Sequence, residues 1–259
     1  MRAEYVDHMG DDLSVVNAAR VSFDNVSVAD RYYDYDVTDL VLCSIPDVSE
    51  KDKTLINYLA RGMPKSEWEK NISNIFTSPY KNDIEVLVNK LINMATHWAP
   101  FSHPHITLRM QAPVSVRTQC FKHKIGFSES EESRRYINSK PEIYVPDMWR
   151  KVASNVKQGS SDEEWFPENN GYTPKDFMED GVDYYINLIK SGLAPEQARF
   201  VLPQGVEVNW IWTGSLASFA RYYKQRIDPH AQKESQILAA EVGAIIEPLF
   251  PVSWRALTS

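Results

Sequence analysis

The chain has 259 residues, 35 acidic against 28 basic side chains and a formal net charge of -7, enough for one large core or two small ones. With 43% hydrophobic and 24% charged residues it has an ordinary globular composition, and its acidic balance argues against a general nucleic-acid binder, which needs a basic face. No apolar run approaches a membrane span and the start, Met1-Arg2-Ala3-Glu4-Tyr5, lacks an apolar signal core, so a cytoplasmic protein with neither a nucleic-acid nor a membrane partner is expected.

Residues 3–8 read as a short strand. A helix is expected over 12–19, with Asp11 or Asp12 at its N-cap and Leu13, Val16 and Ala19 at helical spacing. From 25 to about 47 the chain is polar and tyrosine-rich, which predicts an irregular excursion. A helix over 49–61 places Leu55, Ile56 and Leu59 on one face; 62–81 reads as an inserted loop and 83–97 as a further helix. Residues 105–111 alternate Ile106, Leu108 and Met110 with Thr107, Arg109 and Gln111, the pattern of a half-buried strand. Pro113 fits the first turn of a helix running to about Lys122, with a loop through Glu132.

The polar stretch 151–171 reads as a surface insertion. Thr173 and Pro174 start a strong helix that Gly192 ends, and 195–201 forms a short helix halted near Pro203. Val206, Val208, Trp210 and Trp212 alternate as a strand, with both tryptophans expected in the core. Helices over 215–226 and 231–246 close the chain. There is no repeat and no break in composition. The expected fold is therefore α+β: a single domain over 1–259 with a central, mostly antiparallel sheet flanked by helices. Strands near 3–8, 105–111 and 205–212 share that sheet, and surface insertions fall within 25–81 and 151–171.

Residues 119–136 are the most informative stretch, with four fixed cations (Lys122, Lys124, Arg134, Arg135), His123, three glutamates and three serines in eighteen positions. A dense basic cluster in an acidic chain suits a phosphorylated small molecule. Adjacent cations repel in an empty site, so a bound anion is expected to hold them together. Cys43 and Cys120 show no CxxC spacing, and neither a disulfide framework nor a metal site is expected.

Lys122-His123-Lys124, eight residues, then Ser133 and Arg135-Tyr136 resembles the signature of the flavin-dependent thymidylate synthases: Arg-His-Arg, a spacer of similar length, then Ser. Asp11-Asp12-Leu13-Ser14 leading to Ala18-Ala19-Arg20-Val21-Ser22-Phe23-Asp24 is similar to that family's N-terminal block, and Pro100-Phe101-Ser102-His103 to its Pro-Phe-x-His element. Ala198-Arg199-Phe200-Val201-Leu202-Pro203 and Arg226-Ile227-Asp228-Pro229-His230-Ala231-Gln232 resemble its two C-terminal blocks, and all five occur in family order. Two departures stand out. Lysine replaces both flanking arginines, keeping the charge but not the planar fork, and Ser130 stands where the family commonly has Asn.

The resemblance implies reductive methylation of dUMP to dTMP, with methylenetetrahydrofolate as carbon donor, FAD as cofactor and NADPH as reductant, in a homotetramer with shared active sites. It implies that Ser22, His103, Lys122, His123, Lys124, Ile125 and Glu131 contact FAD. Gln119, Glu131, Ser133, Arg135, Arg199 and Arg226 would contact the nucleotide, with Arg226, Arg135 and Lys122 at the chemistry.

Plainer roles stay open for these residues. Lys-His-Lys alone is ordinarily a solvated basic face, Ser22 a helix-end cap, His103 a connector beside a second candidate, His105. Arg199 could pair with Glu196 or Glu207, and Arg226 could be a helix C-terminal charge. Cys120 tempts as a nucleophile because the unrelated class of thymidylate synthase uses one, yet its helix context favours a buried structural thiol. Two other functions also remain: hydroxymethylation of a pyrimidine nucleotide on the same scaffold, and a non-catalytic nucleotide- or RNA-binding module.

Overall fold

Apolar spacing along the sequence sets which face of each element is buried. The computed structural model describes residues 1–38, 41–92, 96–154, 159–167 and 171–259. The chain opens with strand β1 (Arg2–Met9), helix α1 (Asp12–Arg20) and strands β2 (Arg31–Thr38) and β3 (Val41–Asp47). Helices α2 (Glu50–Arg61), α3 (Lys65–Thr77) and α4 (Lys81–Ile92) lead to strand β4 (His105–Pro113), helix α5 (Val114–Cys120) and strand β5 (Phe127–Glu131). Strands β6 (Arg150–Val152) and β7 (Ser160–Glu164), helices α6 (Pro174–Lys190) and α7 (Pro195–Ala198) and strand β8 (Glu207–Ser215) follow. Helices α8 (Leu216–Arg226), α9 (Lys233–Leu249) and α10 (Pro251–Thr258) end the chain.

The main sheet has strand order β1-β4-β8-β5, so the three segments expected to share a sheet do so. Two further sheets, β2–β3 and β6–β7, are antiparallel pairs. The architecture is mixed α/β, with antiparallel strands and flanking helices.

The chain divides into two compact units, the first formed by Met1–Val6, Thr107–Thr213 and Tyr222–Val242. Its core follows strand alternation: Leu108, Met110, Val208, Trp210 and Trp212 are buried while Ile211 faces outward. Helix α6 adds Met178, Val182 and Tyr185, and begins at a capping box in which Thr173 and Asp176 exchange hydrogen bonds. The Tyr185 hydroxyl donates to the Ile137 carbonyl at 3.1 Å.

The second unit comprises Asp7–Ile106, Gly214–Arg221 and Gly243–Ser259. Helices α1, α2 and α10 bury Val15, Val16, Ile56, Leu59, Trp254 and Ala256. Asp12, 1% exposed, accepts from the backbone N–H groups of Val252 at 2.8 Å and Ser253 at 2.9 Å, so its carboxylate caps the first turn of α10. Burial raises its carboxyl above the ordinary range, while the donors from Ser253 and Val252 pull the other way. Asp52 links α1 to α2: Oδ1 accepts from Arg20 at 2.6 Å and from Ser27 at 2.8 Å, and Oδ2 from Ser49 at 2.8 Å.

Several expectations need correction. The segment 25–47 is irregular only as far as residue 30. Beyond that it forms the β2–β3 hairpin, where Tyr33 opposes Ile45 and Tyr35 opposes Cys43, and it buries Ile45 and Cys43; residues 39–40 lie outside the described residues. Tyrosine is a strand former, and its polar neighbours obscured that preference. Residues 62–81 are mostly helix α3, whose apolar face is thin: only Asn71 is buried, beside the Met63 sulfur. Helix α4 ends by Ile92, so His97 is not helical, and 93–95 lie outside the described residues. Pro113 is the N-cap of α5 and the last residue of β4. The expected loop through Glu132 contains β5. The polar stretch 151–171 carries most of the largely exposed β6–β7 pair, which begins at Arg150, with 155–158 and 168–170 outside the described residues. Helix α10 was not expected at all, because its cap comes from Asp12, distant in sequence.

Asp12→Ala leaves two first-turn N–H groups of α10 without their acceptor and should destabilise the protein by about 1–3 kcal/mol, with a smaller loss for Asp12→Asn, which keeps one oxygen. Denaturant unfolding of both variants checks this; wild-type stability in Asp12→Ala would contradict it.

Candidate functional site

The Lys-His-Lys motif sits where α5 turns into β5, and aromatic packing fixes both ends of that turn. Phe127, which opens β5, stacks on Trp212 with centroids 4.3 Å apart and planes at 17°. Trp212 meets Tyr222 edge-on at 4.9 Å, and His123 meets Tyr222 edge-on at 5.2 Å. Gly126 turns the chain at φ 76°, a left-handed conformation that favours glycine.

Arg226, at the end of α8, draws three expected site residues into one cluster. Its Nε donates to His123 Nε2 at 3.0 Å, one terminal nitrogen to Gln119 Oε1 at 3.3 Å, and the other to the Gln119 carbonyl at 3.0 Å. A guanidinium has five N–H groups, so one on each terminal nitrogen remains for a ligand. His123 accepts through Nε2, which is the neutral imidazole's acceptor nitrogen here. Gln119 also accepts from Ser235 Oγ at 3.0 Å and donates to Gln232 Oε1 at 2.5 Å. Gln232 donates to Glu234 at 2.8 Å, and Glu234 pairs with Arg150 at 2.6 Å.

The motif cations do not face one another unscreened. Lys124 pairs with Glu129 at 2.5 Å, Arg117 with Glu131 at 2.7 Å and Arg135 with Glu196 at 3.3 Å. Of the four cations expected to be held together by a bound anion, Lys124 and Arg135 already have carboxylate partners, and Arg117, outside that stretch, has a third. Burial pushes the Glu131 carboxyl up, with Arg117 opposing and Glu132 reinforcing that shift. Ser133 accepts from the Arg135 backbone N–H at 3.3 Å, and Arg199 Nε donates to the Glu196 carbonyl at 3.3 Å. Arg135 and Arg199 therefore both converge on Glu196, one on its carboxylate and one on its backbone. Lys122 and Ile125 are exposed.

Ser22 and His103 lie in the second unit and line one cleft of about 810 Å³. Arg20, Phe23, Trp98 and the pair Tyr58–His97, stacked at 5.9 Å, share that lining. A lining that combines aromatic rings with histidine, serine and arginine suits a planar ring system such as a flavin. His105 is not among the lining residues; its Nδ1 donates to the His103 carbonyl at 2.9 Å.

Sequence reasoning missed Arg117, Arg150, Ser235 and Glu234. Glu234 and Ser235 lie two and three residues beyond the last matched block, which was a usable signal; Arg150 offered none. Among the described residues no group of three or more His, Cys, Asp or Glu is placed to hold a metal ion, and no helix is long and apolar enough to cross a membrane.

Cys120 is 2% exposed, its Sγ is 3.7 Å from the Tyr222 hydroxyl, and burial pushes its thiol up to about 11. At neutral pH fewer than roughly one molecule in a thousand carries the thiolate, so Cys120 is a poor nucleophile. Cys120→Ser should retain turnover within a few-fold in folded protein. A loss of several orders of magnitude would instead point to a thiolate mechanism.

A profile of the thymidylate synthase complementing protein family matches residues 4–252. A flavin-dependent thymidylate synthase of Thermosipho africanus is 29% identical over 253 residues, covering 97% of this chain and 88% of the relative. A Thermus thermophilus protein of the same name is 27% identical over 251 residues, covering 97% and 73%. Among solved structures, the UMP/dUMP methylase PolB from Streptomyces cacaoi, bound with 5-Br dUMP, superposes with a TM-score of 0.66 at 25% identity, covering 99% of this chain and 94% of PolB. With its motif blocks in order and a match across nearly its full length, the chain belongs to the thymidylate synthase complementing protein family, the family of the flavin-dependent thymidylate synthases.

Proposed function

We propose that this protein catalyses the reductive methylation of dUMP to dTMP, with methylenetetrahydrofolate as carbon donor, FAD as cofactor and NADPH as reductant. The observation that carries this reading is the family match over residues 4–252; the Arg226–Gln119–His123 cluster supports it. When bound, the flavin supplies the hydride chemistry, and the chain's residues supply charge, orientation and exclusion of water.

In this reading Gln119, Glu131, Ser133, Arg135, Arg199 and Arg226 bind the nucleotide. Arg226 turns its remaining N–H groups to the substrate, where a cation beside a uracil carbonyl stabilises the negative charge that builds as C5 becomes nucleophilic. Lys122 acts on the same charge, and Ser133 and Arg135 meet the phosphate or the uracil, Arg135 in the second case acting on that charge too. Ser22 and His103 in the cleft of the second unit, and Lys122, His123, Lys124, Ile125 and Glu131 in the first, are the proposed FAD residues. Assembly as a homotetramer with shared active sites belongs to the same reading.

PolB's description as a UMP/dUMP methylase supports one second reading, that UMP is also accepted. Anaerobic turnover with FAD, NADPH, methylenetetrahydrofolate and either nucleotide, with products weighed by mass spectrometry, tests both. Methylated dUMP is expected, and Arg226→Ala should weaken dUMP binding about ten- to a hundredfold. Absence of methylated product from either nucleotide, or a hydroxymethyl product, would overturn the proposal.

A further inference from the structure

Gln119 and Arg226 do not hold their orientation alone; a directed chain of hydrogen bonds leads away from them to a part-buried ion pair. We propose that Glu234 and Arg150 are positioning residues that fix the direction of the Gln119 amide, and through it the Arg226 guanidinium, for nucleotide binding. This rests on the reading of Gln119 and Arg226 as nucleotide ligands.

The argument is one of donor and acceptor ends. An ionised carboxylate only accepts, whereas a side-chain amide has one donating and one accepting end. Glu234 Oε1 accepts from Arg150 at 2.6 Å and Oε2 from Gln232 Nε2 at 2.8 Å. Gln232 must therefore turn its NH₂ to Glu234 and its oxygen to Gln119. Gln119 in turn must donate Nε2 to that oxygen, at 2.5 Å, and present Oε1 to Ser235 at 3.0 Å and Arg226 at 3.3 Å. Flipping either amide would set donor against donor or oxygen against oxygen. The sign of the chain is thus set at both ends, by the Glu234 carboxylate, which only accepts, and by the Arg226 guanidinium, which only donates.

Arg150 keeps that charge in place. Its Nε donates to Ser160 Oγ at 2.7 Å, and the pair is secluded, with side chains 17% and 9% exposed for Arg150 and Glu234. Burial alone would raise the Glu234 carboxyl, but hydrogen bonds from Arg150 and Gln232 outweigh it and hold the group below the usual carboxylate range. At neutral pH Glu234 stays an acceptor on both oxygens. The β6–β7 pair, which the sequence shows only as a polar insertion, provides both Arg150 and Ser160.

The test is dUMP binding by isothermal titration calorimetry on the full chain, for Glu234→Gln and Gln232→Met, each alone and combined with Gln119→Ala. A carboxamide at 234 carries an NH₂ in place of one oxygen, so it no longer accepts at both positions that Arg150 and Gln232 now use, and Glu234→Gln should weaken dUMP binding roughly tenfold. Gln232→Met should do likewise; Gln232 is exposed, so this variant decides the matter even if Glu234→Gln fails to fold. With Gln119 truncated there is no amide left to orient, and neither substitution should weaken binding further. Single variants that bind dUMP as tightly as wild type would overturn the inference. So would the same loss recurring in the Gln119→Ala background, which would mark a merely structural role. If wild-type protein binds no dUMP, the functional reading fails and takes this inference with it; wild-type binding with indifferent variants sinks the inference alone.

Discussion

The stacking of Phe127 on Trp212, with Tyr222 set edge-on between Trp212 and His123, is the constraint on which the first unit's site depends. Trp212 and Tyr222 are fully buried, and truncating a side chain of that kind costs about 3–5 kcal/mol. Each aromatic pairing adds about 0.5–1.5 kcal/mol beyond the area it buries. Without that anchor β5 has little reason to be a strand, since Phe127 is the only apolar residue in Phe-Ser-Glu-Ser-Glu. The exposed cations of the turn gain fixed positions because their neighbours Phe127 and His123 are held by the core.

Charge then acts on this rigid base. Arg135 rests against Glu196 with both side chains about half exposed, and such surface pairs are worth about 0–1 kcal/mol. A hydrogen bond to a charged group contributes about 1.5–3 kcal/mol, so on the proposed reading a nucleotide phosphate displaces Glu196 from Arg135 at a net gain. Arg226 differs, because its bonds to His123 and Gln119 orient it without neutralising it. One cation is thus screened until an anion arrives, and the other is pre-aimed.

What the sequence made legible follows from how local each signal is. Alternation in β4 and β8 and the helix start at Thr173 and Pro174 are written within a few residues, and each appears where expected. The β2–β3 hairpin and β5 were hidden because their strand character comes from cross-strand partners, Ile45 and Cys43 in one case and Trp212 in the other. Helix α10 depends on a carboxylate at Asp12, far away in the chain, and Arg150 meets Glu234 only in the fold. The basic cluster was visible as composition. Its carboxylate partners were partly visible too, but which cation each would take was not.

The central claim, that this chain joins flavin redox chemistry to methylation of a uracil nucleotide, is tested most directly by single-turnover stoichiometry. Protein loaded with FAD is reduced anaerobically by NADPH, freed of excess reductant, and mixed with dUMP and methylenetetrahydrofolate while flavin absorbance is followed. The account predicts that absorbance returns only when both substrates are present, with about one dTMP formed per flavin reoxidised. Reoxidation without methylated nucleotide, or methylation that leaves the flavin reduced, would contradict it.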